Sequence, residues 1–231
     1  MSADLPPIRD AATVIVLRRD RPVPQVLMGQ RGATAAFMPS KFVFPGGAVD
    51  PGDAQVPLAM SLSTLCSDRL AEDAAPGLHH ALAAAAIREL WEESGLIIGR
   101  PGTWNAEVPA DWASFAARGY LPDASALQFV FRAITPPGRP RRFDARFFQV
   151  DADQIADDPD DFSAACEELS HLQWIPLPEV RRFDLPFITE VVLAEIAARA
   201  NDPAPPASVP FFRNNDEESL FLRLSGASQP R

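Results

Sequence analysis

The sequence predicts a mixed α+β or α/β domain rather than a helical bundle or a β-sandwich. Three observations predict it: two β-branched runs near the start suit adjacent strands, one long segment rich in Ala and Leu suits a helix, and strand-like and helix-like segments follow one another to the end of the chain. The length of 231 residues and the hydrophobic fraction of 47% suit one large domain or two small ones with a substantial core.

The elements of the first half are inferred from apolar runs and from the Pro and Gly residues between them. Asp20-Arg21-Pro22 separates the first two strands, and Pro45-Gly46-Gly47 stops the third. The long helix is expected to end before Gly95, because glycine is favoured just past a helix end. The predicted elements are strands Ala12–Arg18, Gln25–Gln30 and Phe42–Phe44, a weakly helical stretch Leu58–Leu70, and the helix Leu78–Ser94.

The second half continues the mixed pattern. The chain has 24 prolines, roughly twice the average frequency, and they cluster in stiff connectors between short elements. The predicted elements are a strand Leu96–Ile98, a short helix Asp111–Arg118, strands Leu127–Ile134 and Phe143–Val150, an amphipathic helix Leu185–Ala200, and terminal strands Phe211-Phe212 and Leu220–Leu224.

Composition narrows the function classes. The formal net charge of −10 argues against broad nucleic-acid binding, which needs a basic face. No apolar run approaches the roughly 18 residues of a membrane span, and Met1–Asp10 has no apolar core of a signal peptide. Cys66 and Cys166 are far apart and form neither a disulfide framework nor a zinc pattern, so each is expected to be a small apolar residue. We therefore expect a soluble cytoplasmic protein, and a small anionic ligand held by a few arginines or by metal ions stays possible.

The chemically informative segment lies at the end of the long helix. Glu89, Glu92 and Glu93 fall at i, i+3 and i+4, so their carboxylates share one face, where like charges repel. A hard divalent cation such as Mg²⁺ or Mn²⁺ would relieve that repulsion. Arg88 is placed to pair with Glu92 and hold it in position. The alternative is a solvated acidic face without a ligand.

These residues, with Phe44-Pro45-Gly46-Gly47 upstream, resemble the box motif of the Nudix hydrolase superfamily. The helix half fits completely, whereas Asp53 replaces the Glu of the loop half, and 34 residues rather than seven separate Asp53 from Arg88. The resemblance implies the Nudix α/β/α sandwich with a mixed central sheet. It implies a single domain over residues 1–231, with an insertion at about 54–80 and a C-terminal extension at about 201–231.

Three further segments are similar to the long-insertion Nudix branch that includes peroxisomal coenzyme A diphosphatases. They are FMPSKFVFPGG over Phe37–Gly47, the insertion itself, and RRFDARFF over Arg141–Phe148. Leu27 and Arg31 have the spacing of a coenzyme A signature, although Ala35-Ala36 and Ser40 depart from it. Trp91, Phe37 and Phe129 are expected to pack in the core.

The resemblance assigns roles to particular residues. It implies metal ligation by Glu92, Glu93, the carbonyl of Gly47 and a carboxylate of a later loop, for which Glu168 is preferred over Glu167. Glu89 is either a further metal ligand or the general base, and Arg88 completes the catalytic set. Substrate contacts are expected from residues on the loop side and from one or two arginines of a basic patch formed by Arg139, Arg141, Arg142 and Arg146. The alternative is that Asp144 pairs with Arg142 or Arg146 on one face of a strand. The substrate-binding candidates are Arg31, Gly46, Arg142 and Arg146.

The implied activity is hydrolysis of the pyrophosphate bond in a nucleoside diphosphate linked to another moiety, with Mg²⁺ or Mn²⁺ as cofactor. Coenzyme A or an acyl derivative is the leading substrate. Two alternatives stay open: a pyrophosphatase for ADP-ribose or a nucleotide sugar, and a non-catalytic ligand sensor with the same fold. A homodimer is a further expectation from the family.

Overall fold

The structure is a computed structural model that describes residues 6–35, 38–214 and 218–226. Phe37 of the FMPSKFVFPGG segment, Ala36 before it, and parts of the C-terminal extension lie outside these residues, so the predicted core placement of Phe37 is untested. Within the described chain, no helix is both long and apolar enough to cross a membrane.

Among the described residues, nine strands form one mixed sheet, and two short strands pair separately. The sheet order is β11-β10-β7-β8-β1-β2-β3, with β4 paired to β1 and β9 paired to β2. Strands β1 and β8 run parallel, as do β7 and β10, whereas the other pairs are antiparallel. The strands are β1 Ile8–Arg18, β2 Gln25–Arg31, β3 Phe42–Val43, β4 Gly46–Ala48, β5 Gly99–Pro101, β6 Tyr120–Pro122, β7 Gln128–Ile134, β8 Arg142–Asp151, β9 Leu169–Pro176, β10 Val209–Asn214 and β11 Ser219–Leu224.

Helices cover both faces of the sheet. They are α1 Thr64–Ala71, α2 Leu78–Ser94, α3 Ala113–Ala117 and α4 Phe187–Ala198. Residues Ala81–Ala86 of α2 are all buried, and their small side chains allow the helix to pack closely on the sheet. One apolar cluster joins α1, α2 and α3 to one face, and a second joins α4 to the other. The predicted α/β/α sandwich is confirmed.

Most predicted elements are present, and the exceptions have simple causes. Leu96–Ile98 is not a strand: it is a buried connector after the end of α2, and the strand begins at Gly99. Strand β9 was not predicted, because Ser170, His171 and Gln173 break its apolar alternation. Trp91 and Phe129 are buried as expected.

The two cysteines differ in environment. Cys66 is buried on α1, and burial raises the pKa of its thiol to about 11, as suits a small apolar core residue. Cys166 is exposed, so the expected core role is wrong for this residue.

Candidate active site

An opening in the sheet creates the site. Strand β1 pairs with β2 only near its end, at Leu17 and Arg18, while its earlier residues pair with β4. Because β1 and β2 diverge, the glycine turn of β4 occupies the gap between them. A Cβ atom on Gly46 would lie 2.5 Å from the carbonyl oxygen of Ala12, so this close approach requires glycine.

Through this opening α2 presents two buried carboxylates to the turn. The Oε2 atom of Glu93 accepts a hydrogen bond of 2.7 Å from the Gly46 N–H. Only 1% of Glu93 is exposed, so its other oxygen, Oε1, is shielded from solvent. This atom has no hydrogen-bond partner among the described residues. Burial, with the nearby charge of Glu89, raises the pKa of Glu93 well above its usual value. An anionic carboxylate with an unpaired buried oxygen is a position that a cation would stabilise.

Glu89 lies directly against the second glycine of the turn. A Cβ atom on Gly47 would stand 2.4 Å from the Glu89 Oε1 atom, so any side chain at Gly47 would displace this carboxylate. Burial raises the pKa of Glu89 to about 7, even though the Arg88 guanidinium lowers it. A carboxyl group with this pKa is suited to proton transfer at neutral pH.

Arg88 organises the acidic side chains around it. Its Nε and Nη2 atoms donate to the two carboxylate oxygens of Asp53, each at 3.0 Å, and both side chains are almost fully buried. Its Nη1 atom donates to Glu89 at 2.9 Å and to Glu92 at 3.1 Å. The predicted Arg88–Glu92 pair is therefore present. Asp53 contacts Arg88 although its side chain is shorter than that of glutamate and 34 residues separate the two positions.

Glu92 occupies a different position from the other two helix carboxylates. It is engaged by Arg88, about one third of its side chain is exposed, and it is not among the residues that line the cleft described next. In the described part of the chain, no group of three His, Cys, Asp or Glu side chains is arranged to hold a metal ion. The three carboxylates thus do not converge as one preformed ligand set.

A cleft of about 980 Å³ lies in front of the glycine turn on the α4 side of the sheet. Gly46, Gly47 and Glu89 line one end of it, together with Arg31 and Glu168. The Nη2 atom of Arg31 donates to Glu168 Oε1 at 2.8 Å. Five sequence-predicted residues are thus brought together: Arg31, Gly46, Gly47, Glu89 and Glu168.

Glu168 is positioned by the segment before β9. The Cys166 N–H donates to the Glu92 carbonyl oxygen at 2.9 Å, and Ala164 packs against Gly95 at the end of α2. This contact anchors the segment to the end of α2. Glu168 lines the cleft, whereas Glu167 does not.

The substrate-binding prediction for Arg142 and Arg146 needs correction. Both lie on the face of β8 that packs toward α2, and neither lines the cleft. Only 1% of Arg146 is exposed, and its Nη2 atom pairs with Asp144 at 3.2 Å. Arg142 donates to the Thr135 carbonyl oxygen. The same-face pairing of Asp144 with Arg146, the alternative to phosphate binding, is what the structure shows.

Two neighbouring arginines line the cleft instead. Arg139 and Arg141 belong to the loop between β7 and β8, are exposed, and contribute to the cleft wall. The sequence marks the basic patch but not which members face the ligand. Alternation along β8 places Arg142 and Arg146 on the face opposite to that of Phe143 and Ala145. Which of the two faces is turned away from the cleft depends on where α2 packs.

The chain is similar to known proteins in sequence and in fold. No family model matches it. It is 30% identical over 178 residues to a protein named nudix hydrolase 7 of Caenorhabditis elegans, which aligns with 72% of this chain. It is similar to a crystal structure of a NUDIX hydrolase from Alicyclobacillus acidocaldarius, with a TM-score of 0.62, 27% identity, and coverage of 85% of this chain and 94% of that one.

The chain belongs to the Nudix superfamily. It is also 27% identical to the acyl-coenzyme A diphosphatase NUDT19 of Gallus gallus over 76% of its own length. The chain spans 51% of the first curated Nudix relative and 63% of the second. The segments that resemble the Nudix box lie in the β4 turn, at Asp53 and at the end of α2.

Proposed function

We propose that the protein is a metal-dependent Nudix pyrophosphohydrolase that cleaves the diphosphate of a nucleoside diphosphate linked to another moiety. The observation that carries this proposal is the buried Glu93 carboxylate, which has one oxygen on the Gly46 N–H and the other without a partner in the described chain. A structural glutamate gains nothing from this position, because an unpaired buried carboxylate oxygen costs free energy.

The donor set fits a divalent cation. Nudix hydrolases generally use such ions. Glu93 would hold the ion, with the Gly47 carbonyl close by, Glu168 across the cleft, and Glu89 available as a further ligand. Because no three acidic side chains converge in the part of the chain that the structure describes, the remaining ligands would be water and substrate oxygens, as is usual for Mg²⁺. When bound, Mg²⁺ or Mn²⁺ supplies charge neutralisation of the diphosphate and a lower pKa of the attacking water.

The side chains around the ion would have separate roles in positioning, proton transfer and substrate binding. Arg88 holds Glu89 by a hydrogen bond and fixes Glu92 beside it, so it is a positioning residue. Glu89, with its pKa of about 7, would accept the proton of the attacking water, and a role as metal ligand is the alternative. Arg31 would contact substrate phosphate by exchanging its partner Glu168 for the ligand, since guanidinium groups bind phosphate oxygens well.

Coenzyme A or an acyl derivative is the substrate we propose. The similarity to the acyl-coenzyme A diphosphatase NUDT19 and the large cleft support it. ADP-ribose or a nucleotide sugar is the second enzymatic candidate. A cytoplasmic location stays a prediction from composition, and a homodimer one from the family.

A substrate panel tests the proposal. Coenzyme A, acetyl-coenzyme A, ADP-ribose and a nucleotide sugar are incubated with the protein and with Mg²⁺ or Mn²⁺, and products are separated by chromatography. We expect ion-dependent release of 3′,5′-ADP and a phosphopantetheine product from coenzyme A. Turnover of ADP-ribose alone would favour the second candidate. Absence of turnover on every compound would favour the ligand sensor.

Metal binding is expected to strengthen as pH rises. The pKa of Glu89 is about 7 and that of Glu93 is also raised, so below pH 7 protons compete with the cation. Between the usual glutamate pKa and these raised values the folded state binds more protons than the unfolded state, so the metal-free protein loses stability as pH rises. Saturating Mn²⁺ should therefore raise the melting temperature by at least about 2 °C more at pH 8 than at pH 5.5. A larger shift at pH 5.5 would contradict this linkage.

A further inference from the structure

The cleft has a second charged end, away from the carboxylates. Arg9 on β1 and Arg139 and Arg141 on the β7–β8 loop line it. Parallel pairing places Ile8 beside Arg142 and Arg9 beside Phe143, so Arg9 and Arg141 lie at the same edge of neighbouring strands. A cluster of three arginines at one end of a cleft is unusual for a chain with a net charge of −10.

These arginines have little competition from acidic groups. Arg139 and Arg141 make no hydrogen bond or ion pair with any residue in the described ranges. Arg9 approaches Asp50 at 3.7 Å, and both side chains are about half exposed. Such an exposed pair contributes little free energy and is easily exchanged for a ligand. The three guanidinium groups are thus available to an anion.

The register of β1 gives the separation between the two ends. Thr13 pairs with Gly46 at the carboxylate end, and Arg9 lies four residues earlier on the same face of the strand. At the usual rise of a strand, the Cα atoms of these residues are about 13 Å apart. A ribose bound between the two ends of the cleft, together with an extended arginine side chain, spans such a distance.

The floor between the two ends is flat and apolar. Ala11, Ala145 and Ala133 are direct neighbours on β1, β8 and β7, and all three line the cleft. Their methyl groups leave room for a sugar to lie on the sheet. The loop that carries Arg139 and Arg141 contains three prolines and is fixed by hydrogen bonds between Thr135 and Phe143, so little conformational entropy is lost on binding.

We propose that Arg9, Arg139 and Arg141 form a second phosphate subsite, which binds a phosphate monoester on the nucleoside of the substrate. The inference rests on the proposed function, since the scissile diphosphate is taken to lie at the Glu89 and Glu93 end. Among nucleoside diphosphate derivatives, the subsite favours those with a 3′-phosphate, such as coenzyme A, over otherwise identical compounds without it. Guanidinium groups suit the dianionic monoester because they donate in pairs to its oxygens.

The test compares coenzyme A with dephospho-coenzyme A, which differ only in the 3′-phosphate. The ratio of their kcat/KM values is measured with Mn²⁺ for the wild type, for Arg139→Gln/Arg141→Gln, and for the control Arg181→Gln/Arg182→Gln. The control makes the same change of charge at exposed arginines that do not line the cleft. We expect the wild type to prefer coenzyme A by at least about tenfold, the cleft variant to lose that preference, and the control to keep it.

The outcomes separate the subsite from the proposed function. Equal kcat/KM values for both compounds in the wild type, or an unchanged preference in the cleft variant, would overturn the subsite and leave the hydrolase proposal intact. If neither compound is hydrolysed, the proposed substrate fails and the subsite is judged by calorimetric binding of adenosine 3′,5′-bisphosphate against 5′-AMP. Tighter binding of the bisphosphate that depends on Arg139 and Arg141 supports the subsite, and equal affinity overturns it.

Discussion

Replacing Glu93 by Gln is expected to lower metal-dependent turnover by about 10³-fold while the protein stays folded. Glutamine keeps an oxygen for the Gly46 N–H but has no charge to hold a cation, and a catalytic ion supplies several kcal/mol of transition-state stabilisation. Because burial raises the pKa of Glu93, the metal-free variant should melt at the same or a higher temperature than the wild type at pH 8.

Steady-state kinetics and thermal melts with and without Mn²⁺ give both readouts. Glu179→Gln, an exposed glutamate paired with Arg182 outside the cleft, is the matched control and should leave turnover and the Mn²⁺ shift unchanged. Activity of Glu93→Gln within tenfold of the wild type, with an intact Mn²⁺ shift, would remove Glu93 from the metal site.

Replacing Arg88 by Met is expected to be strongly destabilising. The change leaves the Asp53 carboxylate, which is 1% exposed, without its bidentate partner, and an uncompensated buried charge costs about 3–5 kcal/mol. For a chain of this size the melting temperature should fall by roughly 10 °C. Differential scanning calorimetry measures the change.

Two companion variants assign the cause. Asp53→Asn combined with Arg88→Met removes the stranded charge and should recover part of the lost stability without recovering turnover, because Glu89 and Glu92 still lack their positioning partner. Arg182→Met breaks only an exposed ion pair and should shift the melting temperature by about 2 °C or less. If Arg88→Met melts like Arg182→Met, the buried pair is not a stabilising element.

Local patterns predicted the residues closest to the chemistry. The carboxylates at i, i+3 and i+4 and the preceding glycine turn depend on short-range spacing, and the structure places Glu89, Glu93 and Gly46 together. The separation of Glu92 from the cleft was not predictable, because the spacing along one helix face does not show which of the three carboxylates meets the glycine turn. The partner of Arg88 was also missed, since Asp53 lies across a long insertion.

Residues on the substrate side were harder to predict. Alternation along β8 groups Arg142, Asp144 and Arg146 on one face, but it does not indicate which face carries α2 and which carries the cleft. That choice is set by the crossover connections of the sheet, which are long-range. The same limit explains why β9 escaped prediction, since its pairing with β2 rather than its composition makes it a strand.

Because β1 and β2 diverge, α2 on one side of the sheet can reach a ligand that is bound on the other side. Helix α2 contributes its carboxylates through the gap, whereas the remaining wall comes from β1, the β7–β8 loop and the start of α4. In the proposed enzyme, reaction chemistry and ligand choice would therefore reside on separate layers of the sandwich. Substitutions in the loop or near Phe187 can change which compounds are accepted without disturbing the acidic helix, so divergence of substrate range within this architecture requires no redesign of its reactive centre.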